Sequence, residues 1–393
     1  MAASRRRAIG VVMGLGFLVV MGSDAVAPVL ALSARGMGAS SVEVGLLFAS
    51  LYGVRFVIGP IVGWLSDRVG LRWTLTCCLV VGPLVPLAYA LAPTFGWLVA
   101  GRLLSGVVSS AFSPIVIAYL GVVTRPGQEG RVTGTYNCVT WLGSSLGVLA
   151  SGLVADRFGL RAPYLLFFLL AVVGTGVVFL VPDERRMGGQ ARAGEDGHTP
   201  TGPAGLAPAD ATLLVANLAC YTNLAALMSF FPLFGVARGY SLAEIGIFMS
   251  VLGAAAASLQ LVFGRLSDRV ATEWLTLAGA AVLCTGYAAL MLFTPFPAAL
   301  GAAVTLALGL AAMQASLTTA AVVTGRQRSL GAFMGFFYSS QALGRMSGPV
   351  VSGLLAAGGS YSAVFAPAAV LALLASIAAK ATARTRTHQE VPA

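Results

Sequence analysis

Charge is scarce in this chain. Of its 393 residues only 10% are Asp, Glu, Lys or Arg, where a soluble domain carries about 25%. A water-facing surface needs that charge, so most of the area of this chain does not face water. Histidine is scarcer still. His198 and His388 both fall in polar segments with no metal or catalytic partner nearby in sequence. An enzyme would need clustered His, Asp or metal ligands, and the apolar segments lack them. Cysteine is confined to Cys77, Cys78, Cys138, Cys220 and Cys284, all inside apolar runs and without metal-ligand spacing. They read as small buried apolar residues, not as a disulfide framework. Also missing is a nucleotide-binding loop of the Gly-x-x-x-x-Gly-Lys type, which argues against a self-contained ATP-driven pump.

What the chain has instead is hydrophobicity. Apolar residues make up 58% of it and the mean hydropathy is +0.87. Continuous apolar runs of about 20 residues recur, each long enough to cross a bilayer core of roughly 30 Å. The runs do not alternate as β-barrel strands do. The fold class is therefore an all-α polytopic membrane protein with the lipid bilayer as its solvent. A net charge of +10 does not indicate nucleic acid, because the basic residues are scattered over short loops and two tails. At the N-terminus Arg5, Arg6 and Arg7 precede an apolar stretch and Ala25-Val26-Ala27 imitates a cleavage site. The internal repeat described next needs this segment as a retained helix.

Twelve apolar segments can be drawn, near 8–32, 42–64, 73–92, 97–122, 132–155, 161–181, 211–235, 242–264, 274–293, 298–323, 331–355 and 360–380. Residues 182–210 between the sixth and seventh are rich in Gly, Pro and charge and read as a flexible linker. The expected organisation is a six-helix bundle over 1–181, the linker 182–210, a second bundle over 211–380 and a tail over 381–393, with Asp210 capping the seventh helix. An even number of spans puts both termini on one face. Arg35, Arg157, Arg161 and Arg238 fall on the other face and Arg55, Arg102 and Arg345 within spans, so the remaining basic residues share the face of the termini and the linker. That face is the cytoplasmic one in a cell membrane.

The stretch "GWLSDRVGLRW" at Gly63–Trp73 returns as "GRLSDRVATEW" at Gly264–Trp274, an offset of 201 positions. The offset extends beyond the turn: Glu43, Gly45 and Leu51 align with Glu244, Gly246 and Leu252, and Ser151-Gly152-Leu153 with Ser352-Gly353-Leu354. The chain is a duplicated six-helix unit with both copies in the same membrane orientation, hence twelve transmembrane helices as two parallel six-helix repeats. Parallel repeats of this kind are an architecture of secondary transporters.

Gly63, Asp67, Arg68, Gly70 and Arg72 resemble the charged signature of the major facilitator superfamily (MFS), and the second copy keeps Gly264, Asp268 and Arg269 but has Ala271 and Glu273. The resemblance covers essentially the whole chain and implies alternating access between two rocking halves. It also implies that Asp67 and Arg68 latch one conformation by meeting the start of the eleventh segment near Gly331, and that Asp268 and Arg269 act on the fifth. The physical basis is an acidic group at a helix N-terminus, where the dipole favours it. The alternative is a plain solvated loop.

Four ionisable groups lie inside spans: Asp24, Arg55, Arg102 and Arg345. Each costs about 2.5–3.5 kcal/mol at a helix centre, tolerated beside a partner or a watery cavity. By the resemblance, segments 1, 4, 7 and 10 line the cavity, so Asp24 and Arg102 would meet there. Both lie roughly 12 Å below the outer face, where Asp24 would exchange a proton, or else form a static pair. "RLLSG" at Arg102–Gly106 resembles a motif of proton-coupled members. Arg55 reads as structural or cavity-lining. The excess of arginine over carboxylate suggests an anionic substrate. Asn223 and Gln314 are polar cavity candidates, with Asn217, Tyr221 and Gln341 beside them, although such groups often bond only to a neighbouring helix. Gly143, Gly147 and Gly152 in the fifth segment and Gly348-Pro349 in the eleventh would pack helices closely. Exporters of the proton-antiport branches carry a Gly-Pro pair in the fifth segment, where this chain has Val148.

The expected function is secondary transport of a small organic molecule by alternating access, as proton-coupled efflux. The style of "SSVEVGLLFASLYGVRFVIGPIVGWLSDRVGLR" looks most like the drug and metabolite efflux branch. Two alternatives stay open: an importer or facilitator of a small anionic metabolite, and a non-transporting membrane sensor on a transporter scaffold. The expectation includes no cofactor beyond a proton gradient, no metal, no nucleic acid and a monomer.

Overall fold

The computed structural model describes residues 2–124, 129–182, 208–267, 269–326, 330–358, 361–365 and 377. The first repeat contains α1 (Ala2–Gly36), α2 (Ser41–Val69), α3 (Leu71–Val81), α4 (Leu84–Ala90), α5 (Phe95–Val123), α6 (Glu129–Phe158) and α7 (Ala162–Val178). The second contains α8 (Pro208–Ala237), α9 (Leu242–Ser267), α10 (Thr272–Leu292), α11 (Phe296–Arg326) and α12 (Leu330–Ala356), followed by a short 3-10 turn at Tyr361–Val364. Among the described residues, nine helical stretches are long and apolar enough to cross a membrane. Most of the expected twelfth segment, 360–380, and linker residues 183–207 lie outside the described residues.

Helix ends follow from local chemistry, and the duplication repeats it. Gly38 (φ 86°) and Gly239 (φ 83°), 201 positions apart, close α1 and α8 in the left-handed conformation that favours glycine. Two residues later a capping box opens the next helix in each repeat. Glu43 N donates to Ser40 Oγ at 3.2 Å and Ser40 N to Glu43 Oε2 at 2.7 Å. Glu244 N donates to Ser241 Oγ at 3.1 Å and Ser241 N to Glu244 Oε2 at 2.8 Å. The aligned pair Glu43 and Glu244 thus recurs because each closes a box. The copies diverge at the charged turn: Gly70 has φ 104°, whereas Ala271 sits at φ −55°. The second turn does not demand glycine, which is why alanine stands there. Asp210 lies inside the first turn of α8, two residues beyond the start of the helix. Its charge favours the positive end of the helix dipole.

The expected third span, 73–92, is interrupted. Pro83 has no N–H to give the carbonyl of Leu79, four residues back, and the helix breaks into α3 and α4. The orphaned carbonyl is satisfied from α7: Thr175 Oγ1 donates to Leu79 O at 2.6 Å. Replacing Thr175 by valine keeps the shape and removes that donor. The variant should lose about 1 kcal/mol of stability, read as a lower unfolding midpoint in detergent, while Thr175→Ser should retain most of it.

The chain divides into two compact units: Met1–Ala39 with Ser50–Gly197 and Ser241–Ser250, and Ser40–Ala49 with His198–Tyr240 and Val251–Ala393. In the first, Val12 and Leu15 of α1, Leu75 and Leu79 of α3, Phe112, Val116 and Tyr119 of α5 and Val178 of α7 form one apolar core. Tyr119 OH at its edge donates to Pro182 O at 2.7 Å. In the second, Phe365 meets Phe234 of α8 edge-on, centroids 5.2 Å apart, and stacks on Tyr287 of α10 at 5.6 Å.

Candidate transport site

In the first unit the site is built on the α1–α6 crossing. A Cβ on Gly143 would lie 2.8 Å from the carbonyl oxygen of Phe17, and one on Gly147 would collide with that of Met21. These two glycines let the helix backbones touch. Between them, Ser144 reaches α1 and its Oγ donates to Asp24 Oδ2 at 2.5 Å. Asp24 is half-buried, and Ser23 Oγ stands 3.4 Å from its Oδ1. Arg102 of α5 is 9% exposed, and its positive charge acts on the buried Tyr89 of α4. The Tyr89 ring lies 5.6 Å from that of Tyr164, and Tyr164 OH donates to Ser33 Oγ of α1 at 3.0 Å. Arg55 is half-buried on α2. It is next to Val54, whose Cβ lies 2.7 Å from where a Cβ on Gly106 of α5 would sit.

The second unit repeats the packing with different chemistry. A Cβ on Gly344 would lie 2.5 Å from Leu218 O, and one on Gly348 would collide with Thr222 O. Phe17, Met21, Gly143 and Gly147 shifted by 201 give these same four positions, so the α1–α6 crossing recurs as α8–α12. Here the polar links are Asn217 Nδ2 to Ser340 Oγ at 2.7 Å and to Phe337 O at 3.0 Å, and Thr222 Oγ1 to Ser347 Oγ at 3.1 Å. The Arg345 guanidinium sits 5.0 Å from the centre of the Tyr221 ring. Asn223 is fully buried; its Nδ2 donates to Ala219 O of its own helix at 2.8 Å. Among the described residues its Oδ1 has no partner. Gln314 of α11 accepts a 2.6 Å bond from Gln260 Nε2 of α9.

Of the charged-turn residues, the surroundings of Gly63, the side chain of Asp67 and the whole of Asp268 lie outside the described residues, as do the surroundings of Gly331. Arg68 stacks on Trp64, one turn earlier on α2, at 3.9 Å from the ring centre. Arg72 opens α3, with Thr76 Oγ1 bonded to its carbonyl. Arg269 follows α9, its N–H bonded to Leu266 O. Further glycine crossings stand apart from these turns. A Cβ on Gly152 of α6 would lie 2.7 Å from Gly246 Cα of α9, within the first unit. In the second unit Gly45 of α2 meets the carbonyl of Pro349, and a Cβ on Gly353 would lie 2.6 Å from Ser41 O. Sequence reasoning missed Ser144 and Gln260. Ser144 was signalled only by its place between two glycines, and Gln260 by being an amide in an apolar run.

Duplicated helices that span a membrane, with ionisable side chains held in mid-span at glycine crossings, define a polytopic α-helical membrane protein of transporter architecture. The chain belongs to the Major Facilitator Superfamily, whose family model matches residues 12–349 and, again, 213–393. An uncharacterized MFS-type transporter of Methanocaldococcus jannaschii, MJ1560, is 23% identical over 348 residues, 86% of this chain and 89% of that one. The 3-(3-hydroxy-phenyl)propionate transporter of Escherichia coli is 29% identical over 394 residues, 93% of this chain and 92% of that one. Among solved structures, a bacterial homologue of the human lysosomal transporter Spinster, inward-facing and occupied, matches with a TM-score of 0.81 at 16% identity over 96% of each chain. The chain is thus a multi-pass membrane transporter of the twelve-helix MFS fold and not an enzyme.

Proposed function

We propose that the chain is a secondary transporter that exports a small organic molecule by alternating access, driven by protons entering through Asp24. The observation that carries this reading is the Asp24–Ser144 hydrogen bond at the α1–α6 crossing. A half-buried carboxylate in mid-span binds a proton when desolvated and releases it when water reaches it. Access that alternates between the two faces would therefore couple its titration to transport. The distribution of arginines favours cytoplasmic termini and linker, with residues 1–181 and 211–380 as the two moving bundles. Asp67 and Arg68 would hold one of their conformations, and Asp268 and Arg269 its counterpart. The proton gradient would supply the energy with no cofactor, and a monomer suffices. Export rests on the resemblance of residues 40–72 to the efflux branch.

A second reading, uptake or facilitated passage of an anionic metabolite, is favoured by the relative matched over 93% of this chain, whose named compound is a carboxylic acid. Proton movement in inside-out vesicles with an acidified lumen separates the two. The export reading expects an added substrate to drive protons out of the lumen, a pH-dye signal that vanishes in Asp24→Asn. Proton-linked uptake running in reverse expects the lumen to acidify further. Passage of labelled substrate with no proton signal in the parent would remove Asp24 from the mechanism and leave a facilitator.

A further inference from the structure

Helix α12 has two exposed faces of opposite character. Phe336, Leu343 and Leu354 form one of them. Two residues after the first two of these, and so about 200° round the helix, stand Tyr338 and Arg345, with Gln341 between. Tyr338 is 60% exposed, and Gln341 and Arg345 are half-buried. The buried seam between the faces, Phe337, Ser340, Gly344 and Gly348, packs on α8. Lipid suits the apolar face. A mid-span guanidinium and amide on the other face belong instead beside water or a polar ligand.

The first repeat supports this division. Its residues at the three stripe positions are Asn137, Thr140 and Ser144, again polar, and Ser144 is the partner of Asp24. The two repeats therefore both keep a polar stripe on this helix, but only the second carries a cation and an aromatic ring. The Arg345 guanidinium lies over the Tyr221 ring, 5.0 Å from its centre, and a guanidinium is the side chain that grips a carboxylate with two parallel bonds. Tyr338 lies one heptad away, about 10 Å along the helix axis. An amide acceptor and donor at Gln341 stands between them.

We propose that Arg345, Gln341 and Tyr338 of α12, with Tyr221 of α8, form the anion subsite of the transporter and take an aromatic monocarboxylate. Arg345 binds the carboxylate, Tyr338 stacks on the ring and Gln341 bonds to a polar substituent. This inference rests on the chain being a transporter but not on the role of Asp24.

The test is ligand binding to the purified full-length protein in detergent, read by calorimetry and by the shift in thermal unfolding. The probes are single-ring aromatic acids with two- to four-carbon side chains, their primary amides and the matching amines. At least one acid should bind the parent about tenfold or more tightly than its amide, as a charge-assisted bidentate pair requires. Arg345→Gln should erase that preference, Arg345→Lys should keep part of it, and Tyr338→Ala should weaken acid and amide alike. Acid binding to a parent protein that gives no compound-driven proton signal would remove the Asp24 reading and keep the subsite, so the two failures are separate outcomes. The proposal is overturned if no acid binds the parent, if amides or amines bind as well as acids, or if Arg345→Gln keeps the preference. The comparison of acid with amide needs no variant, so a misfolded Arg345→Gln protein leaves the proposal open to refutation.

Discussion

Gly147→Val should leave almost no stably folded protein. At this position any Cβ meets the backbone carbonyl of Met21, and backbone cannot turn aside as a flexible side chain does. Relief requires α1 and α6 to separate, which would uncouple Ser144 from Asp24 and open the seam that Gly143 also closes. Overpacking in a well-packed core costs about 1–3 kcal/mol, and a branched side chain against main chain belongs at or above the upper end. Gly348→Val, at the repeat-related position against Thr222, should behave alike. Gly301→Ala is the control, because a Cβ there meets nothing within 4 Å; it should be nearly neutral. The measurement is the fraction of monodisperse protein recovered from membranes and its unfolding midpoint. A Gly147→Val protein with the parent midpoint would show that the α1–α6 crossing is looser than its geometry implies.

These glycines show what was legible in the sequence and what was not. Membrane spans follow from hydropathy alone, because lipid demands long apolar helices whatever the tertiary structure. The duplication follows from an offset, and the structure extends it to contacts: the packing of Gly143 and Gly147 of α6 against α1 reappears as that of Gly344 and Gly348 of α12 against α8. The glycines of the fifth segment and Gly348 read as packing positions from the sequence, whereas Gly344 and the helix on the other side are visible only in the fold. The break at Pro83 is not legible in the sequence, because nothing local says whether a proline bends a helix or ends it. The partner of Asp24 was equally hidden. Serine is common in membrane helices, and only the approach of α6 makes Ser144 its donor. Asn223 is marked by polarity alone; the fold buries it and gives its Nδ2 a partner on its own helix, Ala219 O.

A leucine wedged into both Gly45 and Gly246 should reduce transport to near background while ligand binding survives. Gly246 lies against Gly152 of α6 and Gly45 against Pro349 of α12. Each crossing brings a helix start from one sequence repeat onto a glycine-rich helix of the other, within a single compact unit. If the repeats move against each other during transport, these crossings must part and reclose in every cycle. A side chain of four heavy atoms at a backbone-to-backbone contact blocks reclosure but leaves the helix cores of α1, α6, α8 and α12 untouched. The cost should therefore fall on the conformational equilibrium and not on folding. Shifting that equilibrium from 1:99 to 99:1 takes about 5.5 kcal/mol, and two overpacked contacts at about 1–3 kcal/mol each approach it. The readout is a single cysteine at position 250, in a background without the five natural cysteines. Ser250 is buried there, its Oγ bonded to the carbonyl of Ser145. Slow alkylation of that cysteine in the parent, and rapid alkylation in the wedged protein by a membrane-impermeant reagent, would show the α6–α9 crossing held open. Unchanged transport with unchanged alkylation would mean that the crossing absorbs the leucines, and that its closure is no part of the cycle.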